Sequence, residues 1–345
     1  MGAGAFSRLC PVKAAVLHGP KDLRVESSRI PDIGPDQVLV RVAVAGLCGT
    51  DYRIWTGDRA VAYPRVLGHE FVGHVEWVGG EVTRVRPGDL VVAEPNFSCG
   101  HCALCLEGNR NLCLARTAVG IDVDGGFAEL VVLPSRCCWI APAGVADEQL
   151  LVTEPLAVVV RAVARGVPRA GETAAVVGAG SLGLLAVQVL RARGLRVLVV
   201  GRTGRRLPLA LELGAERSHT IAEGPLDTAA RRFSGREGVD LVIETAGTPE
   251  AVGHALELVR PGGRVVLTGL PHEPTPIAFF SVVRREVTIT GSMIYQDEFP
   301  EAMRLLRDGA VVAGPLVTHR FPLEAIQDAL VAHRRPDSIK VALVV

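Results

Sequence analysis

The residues best able to do chemistry fall into two groups, and the tighter one is a run of cysteines. Cys99, Cys102, Cys105 and Cys113 form a C-x2-C-x2-C-x7-C array within Cys-Gly-His-Cys-Ala-Leu-Cys-Leu-Glu-Gly-Asn-Arg-Asn-Leu-Cys. Two-residue gaps let a turning backbone bring neighbouring sulfurs to one ion, and zinc favours four thiolates in a tetrahedron. A shell closed by four sulfurs leaves no place for substrate, so this ion would be structural. An iron–sulfur cluster is the rival reading, since close cysteine triplets also serve those centres. His101 lies inside the array, but four sulfurs already complete a shell, so it reads as a surface loop residue.

The second group is scattered. Cys48 sits in Gly46-Leu-Cys-Gly-Thr-Asp51 directly after a strand pattern, Gly68-His-Glu70 opens the next one, and Glu154 occurs in Thr153-Glu-Pro-Leu-Ala157 at a helix start. A thiolate, an imidazole and a carboxylate make a mixed shell with one position left for water or substrate, which catalytic zinc requires. Taken singly, each has a plainer explanation; a lone buried Cys48 is more often a small hydrophobe.

A third feature binds rather than reacts. Val176-Val-Gly-Ala-Gly-Ser-Leu-Gly183 follows a strand pattern and opens a helical one. Gly178 permits a tight turn, Gly180 lets a pyrophosphate approach the backbone, and Gly183 lets helix and strand pack closely. The phosphates of a dinucleotide would then meet Ser181, Leu182 and Gly183 at the positive end of that helix. Cofactor choice is read from the end of the next strand, where NAD sites usually carry a carboxylate for the ribose. Here the strand ends in Gly201, followed by Arg202-Thr-Gly-Arg-Arg206. No acid is present to repel a 2′-phosphate, and Arg202 offers a planar donor fork, with Thr203 and Arg205 as further donors. NADP(H) is therefore expected to be preferred, with NAD(H) as the alternative. The plainer reading is that these arginines solvate a helix start. Glu244, at the end of a later strand, could equally cap a turn or touch the cofactor.

The elements that must position these residues change character along the chain. Up to about residue 152 the pattern is short β-segments between Gly/Pro turns, with strands at 38–44 and 127–133 and turns at 86–89 and 124–126. Thereafter β-branched runs at 173–177, 196–200, 239–243, 264–267 and 286–290 alternate with helical patterns at 182–193, 205–213 and 249–259. Such alternation specifies an α/β domain, a doubly wound parallel sheet of Rossmann type. Two more helices are expected at 299–307 and 322–333.

Composition narrows the field. A chain of 345 residues exceeds what one core usually serves, so two domains are expected. With 48% apolar and 21% charged residues it reads as a packed protein rather than a disordered one. Zero formal net charge argues against nucleic-acid or anionic-membrane partners. Residues 1–6 are too short an apolar stretch for a secretory signal, and the most apolar run, 174–187, is too short and glycine-rich to span a membrane. A cytoplasmic location is expected. There the eight cysteines stay reduced and need a reason other than disulfides.

Taken together and in this order, Gly46-Leu-Cys-Gly-Thr-Asp51, Gly68-His-Glu70, the four-cysteine lobe and Gly178-Ala-Gly-Ser-Leu-Gly183 resemble the zinc-containing medium-chain dehydrogenase family over almost the whole chain. Gly291-Ser-Met-Ile-Tyr295 with Phe299-Pro300, and Thr318-His-Arg-Phe-Pro-Leu323, resemble its polyol (sorbitol-type) branch, with the threonine-dehydrogenase branch close behind.

The resemblance implies a mostly-β GroES-like catalytic domain over 1–153 with a structural zinc lobe at 95–115. It further implies a Rossmann domain over 154–290, and a return segment over 291–345. It implies one structural zinc and one catalytic zinc, the latter held by Cys48, His69 and either Glu70 or Glu154. Thr50 is where the family places a proton-relaying hydroxyl, and Asp51 would accept the non-metal N–H of His69. Relatives commonly carry a histidine where this chain has Arg53, and arginine does not titrate near neutrality. Tyr52, Trp55 and Tyr295 are candidates for the pocket wall.

The activity so implied is interconversion of a secondary alcohol, a polyol or sugar alcohol, with its ketone by a homodimer or homotetramer. The alternatives are a threonine or amino-alcohol dehydrogenase using NAD(H), a metal-free enone or quinone reductase of the same fold, and a non-catalytic zinc- and nucleotide-binding protein.

Overall fold

A computed structural model describes residues 12–30, 32–202 and 206–345, so the expectation about residues 1–6 lies outside the described residues. The chain divides into two compact units, Met1–Glu154 with Ala313–Val345, and Pro155–Val312.

The first unit is built on the long strand Gln37–Leu47, Val-Leu-Val-Arg-Val-Ala-Val at its centre. Along one side it pairs antiparallel with Glu70–Val78. Along the other it pairs with Leu130–Pro134 through its first half and with Lys340–Val344 through its second. Leu90–Ala93, Cys138–Ile140 and Val317–Pro322 complete this seven-stranded sheet. A second sheet, of Val12–Gly19, Asp22–Ser28 and Arg65–Val66, lies in the same unit. Leu17 and Leu23 from the small sheet, Val40, Phe71 and Leu133 from the large one, and Ile326 and Leu330 from the helix Ile326–His333 share one core.

The second unit is a six-stranded sheet, parallel throughout, in the spatial order 217–220, 196–201, 173–177, 239–244, 259–267, 288–291. Every residue of Thr173–Val177 and Val239–Glu244 is buried, as a strand covered on both faces must be. Ala175, Val177, Leu198 and Val200 meet the helices Leu226–Ser234 and Pro249–Leu258. The helix Ser181–Ala192 packs against the first two strands in sequence. Asp240, buried at the start of its strand, takes the backbone N–H and the hydroxyl of Thr173 at 2.8 Å each and pairs with Arg260 at 2.7 Å.

Several boundaries differ from those expected. The parallel sheet keeps the edge strand Thr288–Gly291 and is followed in the same unit by the helix Phe299–Arg307, so the return to the first unit falls at Ala313 instead of 291. The strand expected at 264–267 begins at Val259, and the helix expected at 322–333 opens with a 3-10 turn, Leu323–Ala325. The strand Arg217–Thr220 was not foreseen; Arg-Ser-His-Thr is a polar edge with no β-branched apolar run to betray it.

Candidate metal centres and cofactor cradle

In the lobe, a two-stranded ladder of Asn96–Phe97 with Thr117–Ala118 closes the base, and the helix Ala103–Leu106 and the 3-10 turn Arg110–Leu112 fold between them. The four sulfurs come together: Cys99–Cys105 3.9 Å, Cys102–Cys105 3.5 Å, Cys102–Cys113 3.8 Å and Cys99–Cys113 3.6 Å. A tetrahedron of sulfurs about 2.3 Å from a central zinc has edges of about 3.8 Å. The cluster fits that ion by size and by donor type. The backbone N–H groups of His101 and Cys102 draw the Cys99 thiol down to about 6, toward the thiolate a metal needs. His101 is exposed, with Nδ1 2.9 Å from the Cys99 carbonyl oxygen, and does not join the sulfurs.

The second centre forms where three adjacent strands end. Gly46 pairs with Glu70 and Leu47 with Val341, so Cys48, Glu70 and Lys340 are delivered side by side. Cys48 then caps the helix Gly49–Thr56, with its backbone N–H given to Asp51 Oδ2 at 2.9 Å. The other oxygen of Asp51, fully buried, lies 3.3 Å from His69 Nδ1. Ligand atoms of Cys48, His69 and Glu70 all lie within 4.8 Å of one another. Burial works against a charge on His69, but the Asp51 carboxylate and the Cys48 thiol override it and hold its pKa well above the ordinary value. A thiol, an imidazole and a carboxylate, with no fourth ligand grouped with them among the described residues, suit zinc in an open shell.

Glu154 is buried at the first turn of the helix Thr153–Arg165 but stands outside this three-residue group. Thr50 is half-buried in the first turn after Cys48, and Arg53 follows one turn later. Tyr52 and Trp55 stack on each other at 5.6 Å and pack against the unit's core. Tyr295, in the other unit, is buried edge-on against Phe299 at 5.0 Å, the packing of a core residue.

Sequence reasoning missed Lys340. It is nearly fully buried and its ammonium is ion-paired with Glu70 Oε2. It also donates to the Leu47 carbonyl at 3.3 Å. Burial disfavours the charge, but Glu70 and then Cys48 outweigh it and raise the pKa of Lys340. The available signal was a lysine opening an apolar strand in a chain with three lysines.

In the second unit Gly178 turns with φ +105°, and a methyl on Gly183 would overlap the Gly178 carbonyl oxygen, so both positions require glycine. Gly180 caps the helix Ser181–Ala192, among the described residues no side chain bonds the free N–H groups of its first turn, and the first helical bond runs from Leu184 to Gly180. Those N–H groups are the donors a pyrophosphate would take. Gly201 is buried at its strand end, Arg202 is exposed, and Thr203 and Arg205 lie outside the described residues. Arg206, which sequence reasoning treated only as part of a basic run, is half-buried. Its guanidinium reaches within 4.0 Å of where a Cβ on Gly180 would sit. Glu244 is a cap: its Oε1 accepts the N–H groups of Ala246 at 2.6 Å and Gly247 at 2.7 Å.

Residues 34–143 match the alcohol dehydrogenase GroES-like domain and residues 181–308 the zinc-binding dehydrogenase family. The chain is 37% identical to an L-threonine 3-dehydrogenase of Bacillus licheniformis, covering 91% of this chain and 93% of that one. It is 33% identical to a sorbitol dehydrogenase of Bacillus subtilis, covering 92% of each. A zinc-binding dehydrogenase of Sinorhizobium meliloti solved with NADP superposes with a TM-score of 0.94 at 33% identity, over 97% of this chain and all of the other.

Proposed function

The chain belongs to the zinc-containing medium-chain alcohol dehydrogenase family, polyol/threonine branch, and on that premise we propose that it interconverts a polyol or sugar alcohol with its ketone using NADP(H). The family makes it a zinc-dependent oxidoreductase. The observation that supports zinc-dependent alcohol–ketone chemistry is the pairing of a closed four-sulfur cluster with an open Cys48–His69–Glu70 set, while the sorbitol dehydrogenase relative and the acid-free strand end at Gly201 and Arg202 support a polyol and NADP(H). Zinc at the open set would supply a Lewis acid that eases loss of the alcohol proton, and the nicotinamide would accept the hydride.

The chain's own residues do the rest. Asp51 faces Nδ1 of His69, which fixes the tautomer that leaves Nε2 for the metal. Thr50, half-buried beside Cys48, carries the alcohol proton outward. Cys48 and His69 would hold the metal, with Glu70 grouped with them and Glu154 as the other candidate carboxylate. Gly178, Gly180 and Gly183 open the backbone to the pyrophosphate, with Ser181 and Leu182 donating. Gly201 leaves room for a 2′-phosphate, which Arg202 and Thr203 receive, and Arg206 reaches over the glycine turn.

Self-association fits an exposed apolar face in the second unit. Phe279, Phe280 and Val283 lie open on the short helix that precedes the edge strand Thr288–Gly291. Among the described residues no helix is long and apolar enough to cross a membrane.

The threonine-dehydrogenase relative favours a second reading, oxidation of an amino alcohol with NAD(H). Initial rates with polyols, sugar alcohols and threonine, each with NADP and NAD, separate the two. The highest kcat/KM for a polyol with NADP is expected. Threonine with NAD ahead of every polyol would replace the first reading by the second.

A further inference from the structure

Arg53 stands apart from the other arginines of the chain. It is half-buried on the helix Gly49–Thr56, and among the described residues it alone of the half-buried arginines makes no ion pair, hydrogen bond or ring contact. Arg65, Arg161, Arg260 and Arg264, likewise half-buried, each meet an acid at 2.6–3.2 Å. Acids lie close to Arg53 in sequence, but they serve other groups. Asp51 is turned to His69 and the Cys48 N–H, and Asp58 accepts the Thr56 hydroxyl at 2.7 Å. A guanidinium partly withdrawn from water without a partner is costly, and an incoming anion removes that cost.

Arg53 also faces the reacting end of its helix. Residues three apart on a helix share a face, and long side chains lean back over the turn before them. The Arg53 side chain is thereby directed toward Gly49 and Thr50, the residues that follow Cys48. That ground is open, since a Cβ on Gly49 would meet nothing within 4 Å. No nitrogen of Arg53 is sealed away without a partner, so its guanidinium borders open space.

We propose that Arg53 is a specificity-determining residue, and that it receives a carboxylate or phosphate carried by the substrate a few bonds from the carbinol carbon. Its planar fork stays charged at any working pH and engages two oxygens of such a group at once. The substrate class is then an acidic polyol, with the alcohol toward Cys48 and Thr50 and the acid group on Arg53. This deepens the function proposed above and rests on its polyol reading, with Cys48, His69 and Glu70 as the zinc site where the alcohol reacts.

The test compares the zinc-loaded full chain as wild type, Arg53→Gln and Arg53→Lys. Sorbitol, sorbitol phosphate and gluconate, which share one carbon skeleton, are each supplied with saturating NADP and, separately, NAD. The readout is the ratio of kcat/KM for each acidic substrate to that for sorbitol, with kcat and KM resolved. Wild type should favour at least one of the acids, and which one it favours tells phosphate from carboxylate. Arg53→Gln should lower that ratio roughly tenfold to a hundredfold, the worth of a hydrogen bond to a charged group, and chiefly through KM. Arg53→Lys, a point charge without the fork, should regain part of it.

A wild type that turns over sorbitol as well as either acid overturns the inference. So does a ratio unchanged in Arg53→Gln, or a loss shared equally by neutral and acidic substrates, as a contact with cofactor phosphates would give. If Arg53→Gln does not fold, a wild-type ratio that holds constant as salt is raised overturns it, because a partly exposed ion pair is screened. A wild type that oxidises none of the three with either cofactor overturns the polyol reading beneath the inference, and is seen before any variant is made.

Discussion

Asp51 Oδ1 lies 3.3 Å from Nδ1 of His69, and neither atom has a hydrogen-bond partner elsewhere among the described residues. The same carboxylate caps the Cys48 N–H through its other oxygen. One buried side chain thus orients an imidazole and a cysteine that lie 21 residues apart in sequence.

Asp51→Asn keeps the shape and removes the charge. Metal affinity at the Cys48 site is expected to fall roughly 10–100-fold, the usual cost of losing a partner of a metal-bound histidine. Competition with a chromogenic chelator measures it. Affinity equal to wild type would leave Asp51 as a helix cap and nothing more.

The two sites should separate under mutation. Cys48→Ala is expected to abolish turnover while keeping the fold and one firmly held zinc. Cys102→Ala opens a cluster whose sulfurs stand 3.5–3.9 Å apart, so it should loosen the lobe and lower Tm, because a structural site contributes to folding directly. Elemental analysis of active wild type should give two zinc ions per chain. A single zinc in fully active protein contradicts this assignment.

What could be read from the sequence follows the range over which each feature is encoded. The four-cysteine cluster is local: its spacing alone brings the sulfurs together. The glycine loop is equally local, since Gly183 must be glycine for the helix to cross the Gly178 carbonyl. Lys340 was not legible, because it meets Glu70 across 270 residues through strand pairing that no local pattern reports. Arg206 was lost in an arginine-rich segment; only the fold shows that its guanidinium comes near Gly180. The grouping of Glu70 with Cys48 and His69 also waited on three dimensions, since it and Glu154 are both acids near element starts.

Acid stability should depend on Asp240. Burial raises its pKa, but the Arg260 guanidinium and the Thr173 donors outweigh that and hold it below 3.8. A group with a lower pKa folded than unfolded stabilises the protein above its unfolded pKa, and loses that contribution as pH falls through the folded one. Asp240→Asn is therefore expected to cost about 1–3 kcal/mol at neutral pH, with the gap to wild type closing on acidification below 3.8. Urea melts between pH 7 and pH 2 read this. A gap that stays constant with pH would show that Asp240 acts through shape alone.

The pH profile of turnover should reflect Arg53, one helical turn beyond Thr50 on the helix Gly49–Thr56. An arginine cannot pass on a proton near neutrality. Arg53→His places a group of ordinary pKa about 6.5 there, and a new or shifted inflection in kcat near that pH is expected. Superimposable profiles of wild type and variant would take this position off the proton path.

Cofactor choice should rest on Gly201 and Arg202, and contact with the pyrophosphate on Arg206. A side chain at Gly201 meets the tip of Leu207 at 3.2 Å and Ala179 at 3.5 Å, so an aspartate can enter if a flexible leucine gives by a few tenths of an ångström. Once there, its carboxylate accepts ribose hydroxyls and repels a 2′-phosphate, and like charges so placed cost several kcal/mol. Gly201→Asp with Arg202→Ile is expected to turn a preference for NADP into one for NAD, with the ratio of kcat/KM values changing by at least about a hundredfold. Arg206 differs in position. Its guanidinium stands over Gly180, at the turn that both cofactors share, so Arg206→Ala should weaken NADP and NAD alike. Arg202→Ala should weaken NADP alone. Should wild type already favour NAD, the open strand end is not a phosphate site; should Arg206→Ala spare NAD, Arg206 serves the 2′-phosphate instead of the pyrophosphate.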